Sequence, residues 1–299
     1  WIHRTPVLTS QTLDGMSGAK LYFKCENFQK AGAFKIRGAT NAVFSLTEEE
    51  AGRGVATHSS GNHALSLSLA AACRGIKCTV VMPETASKAK MRAVEGYGGS
   101  IITCRPSLKD REHTLQQFVE RTGANFVHPY NDHRVIAGHA TCSKELNEEV
   151  GLLDAVVAPI GGGGMISGTS LTLSSIAPDT RIIAAEPANA DDAFRSFHAG
   201  HIIEDDAPDT VADGLRVSLR ELTWHFVSSY VDNILLATEE EIIDAMRLVW
   251  ERMKIVIEPS CAVPVAVILK NPEVFRGQRV GVIITGGNVD MQNLPWLKN

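Results

Sequence analysis

No stretch of the 299-residue chain approaches about 18 uninterrupted apolar residues, so no segment is long and apolar enough for a membrane-spanning helix. A basic surplus is also missing. The formal net charge of −5 gives no electrostatic footprint for a nucleic-acid surface. The six cysteines (Cys25, Cys73, Cys78, Cys104, Cys142 and Cys261) show neither CxxC nor His-paired spacing, so a disulfide framework has no basis here. They read as reduced, partly buried thiols of an intracellular enzyme, and a cytoplasmic location is expected. The opening WIHRTPVL, without Met, resembles no signal peptide and is expected to be a trimmed start. No repeat, low-complexity tract or Pro/Gly-rich linker divides the chain.

What is present is alternation. β-rich runs at Lys20–Cys25, Gly54–Thr57, Cys78–Met82, Ser100–Cys104, Ala155–Pro159, Arg181–Ala185, Asn233–Ala237 and Arg279–Thr285 predict strands. Stretches at Phe34–Ser45, Asn62–Ala72, Lys88–Glu95, Leu108–Thr122, Gly168–Ser175 and Ile242–Met253 predict helices between them. The pattern predicts an α/β architecture with parallel sheets. Thr47 and Thr238 each stand three residues before the last of three glutamates, a capping-box spacing that marks two helix starts. In such sheets ligands bind beyond the carboxyl ends of the strands, so the loops after strands carry the chemistry.

The most informative of these loops is Gly161-Gly162-Gly163-Gly164, between the run ending at Ile160 and Met165. Backbone without side chains exposes N–H donors at a helix start, where a phosphate can dock. No Lys follows, which removes the Walker loop. The third glycine of G-x-G-x-x-G would fall on Ile166 or Ser167, which removes the dinucleotide fingerprint. A plain flexible loop is the competing reading.

Three more small-residue loops follow strands: A-F-K-I-R-G at 33–38, S-S-G-N-H at 59–63 and T-G-G-N at 285–288. Together with the tetraglycine run, in order and interval, they resemble the pyridoxal-phosphate enzymes of the serine/threonine dehydratase and serine racemase family. The likeness runs from R-T-P-V-L at 4–8 to the end of the chain. W-E-R-M-K at 250–254, A-E-P-A-N-A-D-D at 185–192 and G-G-N-V-D at 286–290 are most similar to the family's eukaryotic racemase branch. The resemblance implies the fold-type-II architecture, similar to the tryptophan synthase β chain. It has two open twisted α/β domains with the cofactor in the cleft. The large domain would be 1–53 and 132–299, with a small mobile domain, 54–131, inserted in it.

The resemblance also assigns residues. Lys35, otherwise readable as a surface lysine, would hold pyridoxal 5'-phosphate as a Schiff base and then act as a base. Phe34 precedes it. Asn62 matches the partner of the cofactor's ring hydroxyl, and Gly161, Gly162, Gly163, Gly164 and Met165 match its phosphate site. Thr285 matches the partner of the ring nitrogen. A hydroxyl brings no charge to hold that nitrogen protonated, which suits elimination and racemisation more than transamination. Ser59, Ser60, Asn62 and His63 would receive the substrate carboxylate at a helix start, although S-S-G-N is equally an ordinary helix cap. Ser60 matches the racemases' second base, on the face opposite the lysine. Arg111 matches a racemase residue that reaches the substrate carboxylate. Glu186, Asp192 and the carbonyl of Ala190 match ligands of a divalent cation, Mg2+ or else Ca2+ or Mn2+. Their other reading is a solvated helix start.

Departures qualify the likeness. Leu65 replaces the Gln that contacts nucleotide in animal racemases, which argues against ATP as an activator. His139-Ala140 replaces Gln-Gly, and Tyr130 replaces the Asn of mammalian racemases. With the sequence running to Asn299, no regulatory domain is expected after the catalytic part, an expectation that argues against the allosteric biosynthetic threonine dehydratase. The expected activity is serine racemisation by two-base α-proton exchange, with β-elimination of serine to pyruvate and ammonia. The expected assembly is a homodimer. A dehydratase of L-serine/L-threonine or 3-hydroxyaspartate is the alternative reading. A catalytically inactive α/β binding protein is the third.

Overall fold

A computed structural model describes residues 1–205 and 207–297. The chain begins with β1 (Val7–Leu8), α1 (Gln11–Ser17), β2 (Lys20–Cys25), α2 (Lys35–Phe44) and α3 (Glu48–Arg53). Then come β3 (Val55–His58), α4 (Asn62–Arg74), β4 (Cys78–Pro83), α5 (Lys88–Gly96), β5 (Ser100–Cys104), α6 (Leu108–Thr122) and β6 (Asn125–Phe126). After these lie α7 (His133–Val150), β7 (Ala155–Pro159), α8 (Gly164–Ile176), β8 (Arg181–Pro187) and α9 (Asp192–Ala199). The last elements are α10 (Glu221–Tyr230), β9 (Asn233–Ala237), α11 (Glu239–Met253), α12 (Pro259–Lys270), α13 (Pro272–Phe275) and β10 (Arg279–Ile284). One sheet runs β1-β2-β10-β7-β8-β9 and the other β5-β4-β3-β6. Every strand pair is parallel except β1 with β2. The two-sheet fold-type-II architecture expected from the motifs is the one observed.

Continuous apolar runs suit these strands because helices cover both sheet faces. On β7, Ala155 and Val157 join one core with α11 and α12, while Val156 and Ala158 join another with α8. Strand β10 divides the same way, Val280, Val282 and Ile284 against Ile283. Both expected capping boxes form: Thr47 and Glu50 exchange hydrogen bonds at α3, as do Thr238 and Glu241 at α11.

Some elements differ from expectation. Helix α8 begins at Gly164 rather than Gly168, so the last glycine of the run is already helical. Helix α7 was not among the expected helices; Val135, Ile136, Cys142 and Leu146 lie on its buried face, but Gly138, His139 and Ser143 interrupt that stripe. Helix α12 is buried almost all round, which erases helical periodicity. Strands β1 and β6 have two residues each, too few for a pattern.

A buried charge network ties α2 to the end of β2 and to α7. The Arg37 guanidinium donates to both oxygens of Glu26, at 2.7 and 2.8 Å, and of Glu145, at 2.8 and 2.7 Å. Lys24 donates to Glu145 at 2.7 Å and to the carbonyl of Thr5 at 2.7 Å. Burial alone would lower the arginine pKa, but the bonds to Glu26 and Glu145 outweigh it and raise it. Two residues earlier on the same helix stands Lys35.

Candidate active site

Lys35 is the first residue of α2, and its amine donates to the carbonyl of Pro129 at 2.7 Å. Burial lowers its pKa to about 8, against the field of Glu258, which raises it. An amine so tuned is still mostly protonated near pH 7, but its neutral, nucleophilic fraction is far larger than that of an ordinary lysine. Phe34, one residue before, donates its N–H to the carbonyl of Thr285 at 2.9 Å, which ties the lysine turn to the end of β10. Ala33 bridges Gly286 at the same place.

The tetraglycine loop leaves β7 and turns into α8 through Gly163, whose φ of +84° is the left-handed region that favours glycine. Its neighbours leave no room for side chains. A Cβ on Gly162 would lie 2.6 Å from the Tyr130 ring, and one on Gly164 would lie 2.8 Å from the Tyr130 Cβ. One on Gly161 would reach the Leu215 backbone at 2.8 Å. No side chain caps α8, so its first-turn N–H groups are available to an anion. Met165 is buried in that first turn and receives the Thr169 hydroxyl on sulfur at 3.9 Å.

Asn62 begins α4, whose N-cap Gly61 supplies no side-chain cap. Its amide donates to both carboxylate oxygens of Glu258, at 2.9 and 3.1 Å, and its oxygen accepts from Asn288 at 2.9 Å. Ser59 accepts the Gly61 N–H at 3.3 Å, and Ser60 is half-buried in the same turn. The His63 side chain points elsewhere. Its Nε2 meets the carbonyl of Val127 at 3.2 Å, so what it offers this turn is backbone N–H.

Burial first, then neighbouring positive charge, pushes His58 down to about 4 and His128 to about 3, and His63 falls well below its usual value. All three imidazoles are neutral at pH 7. Two backbone N–H groups, of Tyr130 and Asn131, donate to His128 Nδ1 at 3.2 and 2.9 Å, which independently requires a lone pair there. The positive charges are Lys35, Arg111 and Arg220. Arg111 lies in the first turn of α6 and Arg220 just before α10, and both act on His58.

Thus Phe34, Lys35, Asn62 and Thr285 meet around Glu258 and Gly286, with the glycine loop close by across Pro129 and Tyr130. His139, whose ring lies 4.6 Å from that of Phe34, packs where Cβ atoms on Gly38 or Gly168 would fall. The cation group is apart. Glu186 accepts the N–H groups of Ala193 and Phe194 at 2.9 and 2.7 Å. Asp192 Oδ2 is buried with no hydrogen-bond partner, and Ala190 is buried between the two. Among the described residues no cluster of three His, Cys, Asp or Glu side chains could hold a metal.

A family profile for "pyridoxal-phosphate dependent enzyme" matches residues 1–286. The chain belongs to that family. It is 64% identical over 295 residues to the β-hydroxyaspartate dehydratase of Paracoccus denitrificans, covering 99% of this chain and 94% of that one. The solved serine racemase of Dictyostelium discoideum is similar at TM-score 0.94 and 48% identity, covering 97% and 94% of the two chains. Maize serine racemase is similar at TM-score 0.96 and 45% identity, covering 99% and 92%. Within the family the chain therefore falls in the fold-type-II racemase and dehydratase group. The residues present fit the family's cofactor: a buried amine with a lowered pKa for its aldehyde and a side-chain-free helix start for its phosphate.

Glu258 and Arg37 are the site residues that motif reading missed. The carboxylate of Glu258 is recognisable only through Asn62, 196 positions away. Arg37 lay in view inside A-F-K-I-R-G, but its partner Glu145 stands 108 positions off.

Proposed function

We propose that this protein dehydrates a 3-hydroxy amino acid with a second carboxylate, of the 3-hydroxyaspartate type. The observation that carries the reading is the Arg220–Glu112 contact at 3.5 Å, which brings Arg220 to the part of α6 that also carries Arg111; both cations lower the pKa of His58, the residue before Ser59 and Ser60. Serine, placed first from the motifs, has one carboxylate, which the uncapped start of α4 can receive, whereas a dicarboxylate brings a second that calls for cations of its own. Arg220 already contacts Glu204 at 3.2 Å and Glu112 at 3.5 Å. Both partners are largely exposed, so a substrate carboxylate can compete for it. The 64% identical relative, named a β-hydroxyaspartate dehydratase, supports the same substrate class.

Pyridoxal phosphate, when bound, supplies the electron sink for the bond broken at Cα. The protein does the rest. The uncapped start of α4 binds the α-carboxylate, Lys35 carries the α-proton, and Arg111 with Arg220 orients the distal carboxylate. Residues 54–131 are proposed to close as a unit and exclude water. The Lys90–Asp213 contact at 3.0 Å and the Arg220–Glu112 contact link that segment to the rest.

The half-buried Ser60 favours racemisation as a second activity. Among the described residues no partner occupies its hydroxyl. One set of assays separates these readings. Wild type should eliminate 3-hydroxyaspartate with kcat/KM above that for L-serine by about 100-fold, and Arg220→Ala should narrow that ratio by roughly tenfold or more. Equal losses on both substrates would remove the dicarboxylate reading. Ser60→Ala should stop D-serine formation and spare some L-serine elimination, whereas unchanged D-serine formation would exclude Ser60 as the second base.

Glu186, Asp192 and the Ala190 carbonyl are proposed to hold a divalent cation. Burial and then the Asp192 charge raise the Glu186 pKa well above its usual value, and burial raises that of Asp192 to about 6. A raised carboxyl pKa favours the folded state while the group is protonated, and that contribution is lost as pH climbs through about 6. Above that pH a cation takes the place of the protons. Saturating Mg2+ should therefore raise Tm by about 5 °C at pH 8 and far less at pH 5. Asp192→Asn should erase the difference. A Tm indifferent to Mg2+, Ca2+ and Mn2+ at pH 8 would sink the cation site.

A further inference from the structure

Glu258 is a carboxylate in a place where the cofactor chemistry does not require one. It caps α12, is 5% exposed, and donates its own N–H to the carbonyl of Gly286 at 3.0 Å. Its side chain lies flat against the T-G-G-N loop. A Cβ on Gly286 would fall 2.8 Å from Glu258 Oε1, which is why that loop needs glycine immediately after Thr285.

The consequence falls on Asn62. Glu258 takes its amide nitrogen, and Asn288 fixes its oxygen while donating also to the carbonyl of Ala31 at 2.7 Å. An amide held at both ends has one orientation, and its nitrogen side is set by the carboxylate. The same carboxylate acts on Lys35. Other charges facing Glu258 are Asp213, from the segment before α10, and Lys90, from α5. Cys261, on the same helix, gives its thiol hydrogen to backbone carbonyls, and its pKa is raised by burial and by Glu258, so it adds no charge. Asp213 and Lys90 are paired with each other and about half exposed, which leaves Glu258 as the buried counter-charge to the lysine.

We propose that Glu258 is a positioning residue of the cofactor site, which orients the Asn62 amide and supplies the negative charge that keeps Lys35 basic. The proposal rests on the reading of Lys35 and Asn62 as cofactor residues. Burial lifts the Glu258 carboxyl to about 7, so its charge is present in the range where the lysine, at about 8, exchanges its proton. Removing that charge disfavours the ammonium form, and the lysine titrates at lower pH.

The experiment follows uptake of pyridoxal phosphate by apoprotein through its visible absorbance, between pH 6.5 and 10 at a fixed ionic strength of ~0.1 M. In wild type the rate should rise with a midpoint near that of the lysine. Glu258→Gln should move the midpoint down by about one pH unit or more and weaken cofactor retention. Glu258→Asp keeps the charge but shortens the reach to Asn62, so it should hold the midpoint near wild type while still weakening retention. It also serves if the Gln variant does not fold. A Gln midpoint equal to wild type, or an Asp midpoint as low as that of Gln, would overturn the proposal. Wild type that never gains the band would instead overturn the reading of Lys35, and the proposal with it.

Discussion

Arg37→Met should lower stability by about 3–5 kcal/mol, because it strands Glu26 in a dry interior with its guanidinium partner gone. Glu26 is fully buried and keeps only the hydroxyl of Thr5 as a side-chain donor. Glu145, half-shielded, retains Lys24 at 2.7 Å. In a chain of this size the loss corresponds to a fall of roughly 10 °C in Tm. The deficit should shrink toward acid pH, since a proton on Glu26 replaces the missing cation. Surface pairs provide the contrast. Breaking Arg53–Glu49 or Lys144–Glu148, both solvent-exposed, should change stability by about 0.5 kcal/mol or less. Urea melts of the three variants at pH 7 and pH 5 check the ranking. A loss under about 1 kcal/mol for Arg37→Met would mean that water or a relaxed backbone rescues Glu26.

The second large effect is at Lys35, where function and stability pull in opposite directions. Lys35→Ala removes the amine that would carry the cofactor and the α-proton, so elimination should fall by about 10³-fold or more. The apoprotein should nevertheless gain stability at pH 7. Burial lowers the lysine pKa from 10.5 to about 8, so the folded state disfavours the charged form. A depressed lysine pKa means that the penalty is absent above the unfolded value, grows as pH falls from 10.5 toward about 8, and is complete below that. Alanine carries no such penalty and suits a first helical position. The gain should be roughly 1–2 kcal/mol at pH 7, offset in part by the lost bond to Pro129, and should vanish near pH 10.5. A variant that is less stable than wild-type apoprotein at pH 7 would show that the amine is not desolvated as described.

Local features carried the legible part of this fold. The runs that became β2, β5, β7 and β9 have the same bounds in sequence and structure; in β7, covered on both faces, the run is apolar throughout, and in the others β-branched, aromatic and other apolar residues mark the strand. Thr47 and Thr238 marked their helices by spacing alone. The glycine run was readable because steric demand for hydrogen side chains has no other residue to satisfy it. What stayed hidden depends on distance or on a missing contrast. Helix α7 buries His139 and Ser143 beside Val135, Cys142 and Leu146, so polar residues interrupt its stripe. Neither the Glu258–Asn62 bond nor the Arg37–Glu145 pair leaves any local trace, since each joins segments more than a hundred residues apart. The orientation of His63 was equally invisible, because S-S-G-N-H fixes a helix start but not which way a ring turns.

The central claim is a covalent bond between Lys35 and the cofactor aldehyde, with the phosphate against Gly161–Gly164. Borohydride reduction of the cofactor-bearing protein, followed by peptide mass mapping, tests it directly. Reduction makes a carbon–nitrogen double bond permanent. The expected result is a single pyridoxyl-modified lysine, in the peptide that contains Lys35, and no modification in Lys35→Ala. Modification of a different lysine, or none in a protein that shows the visible band, would contradict the account.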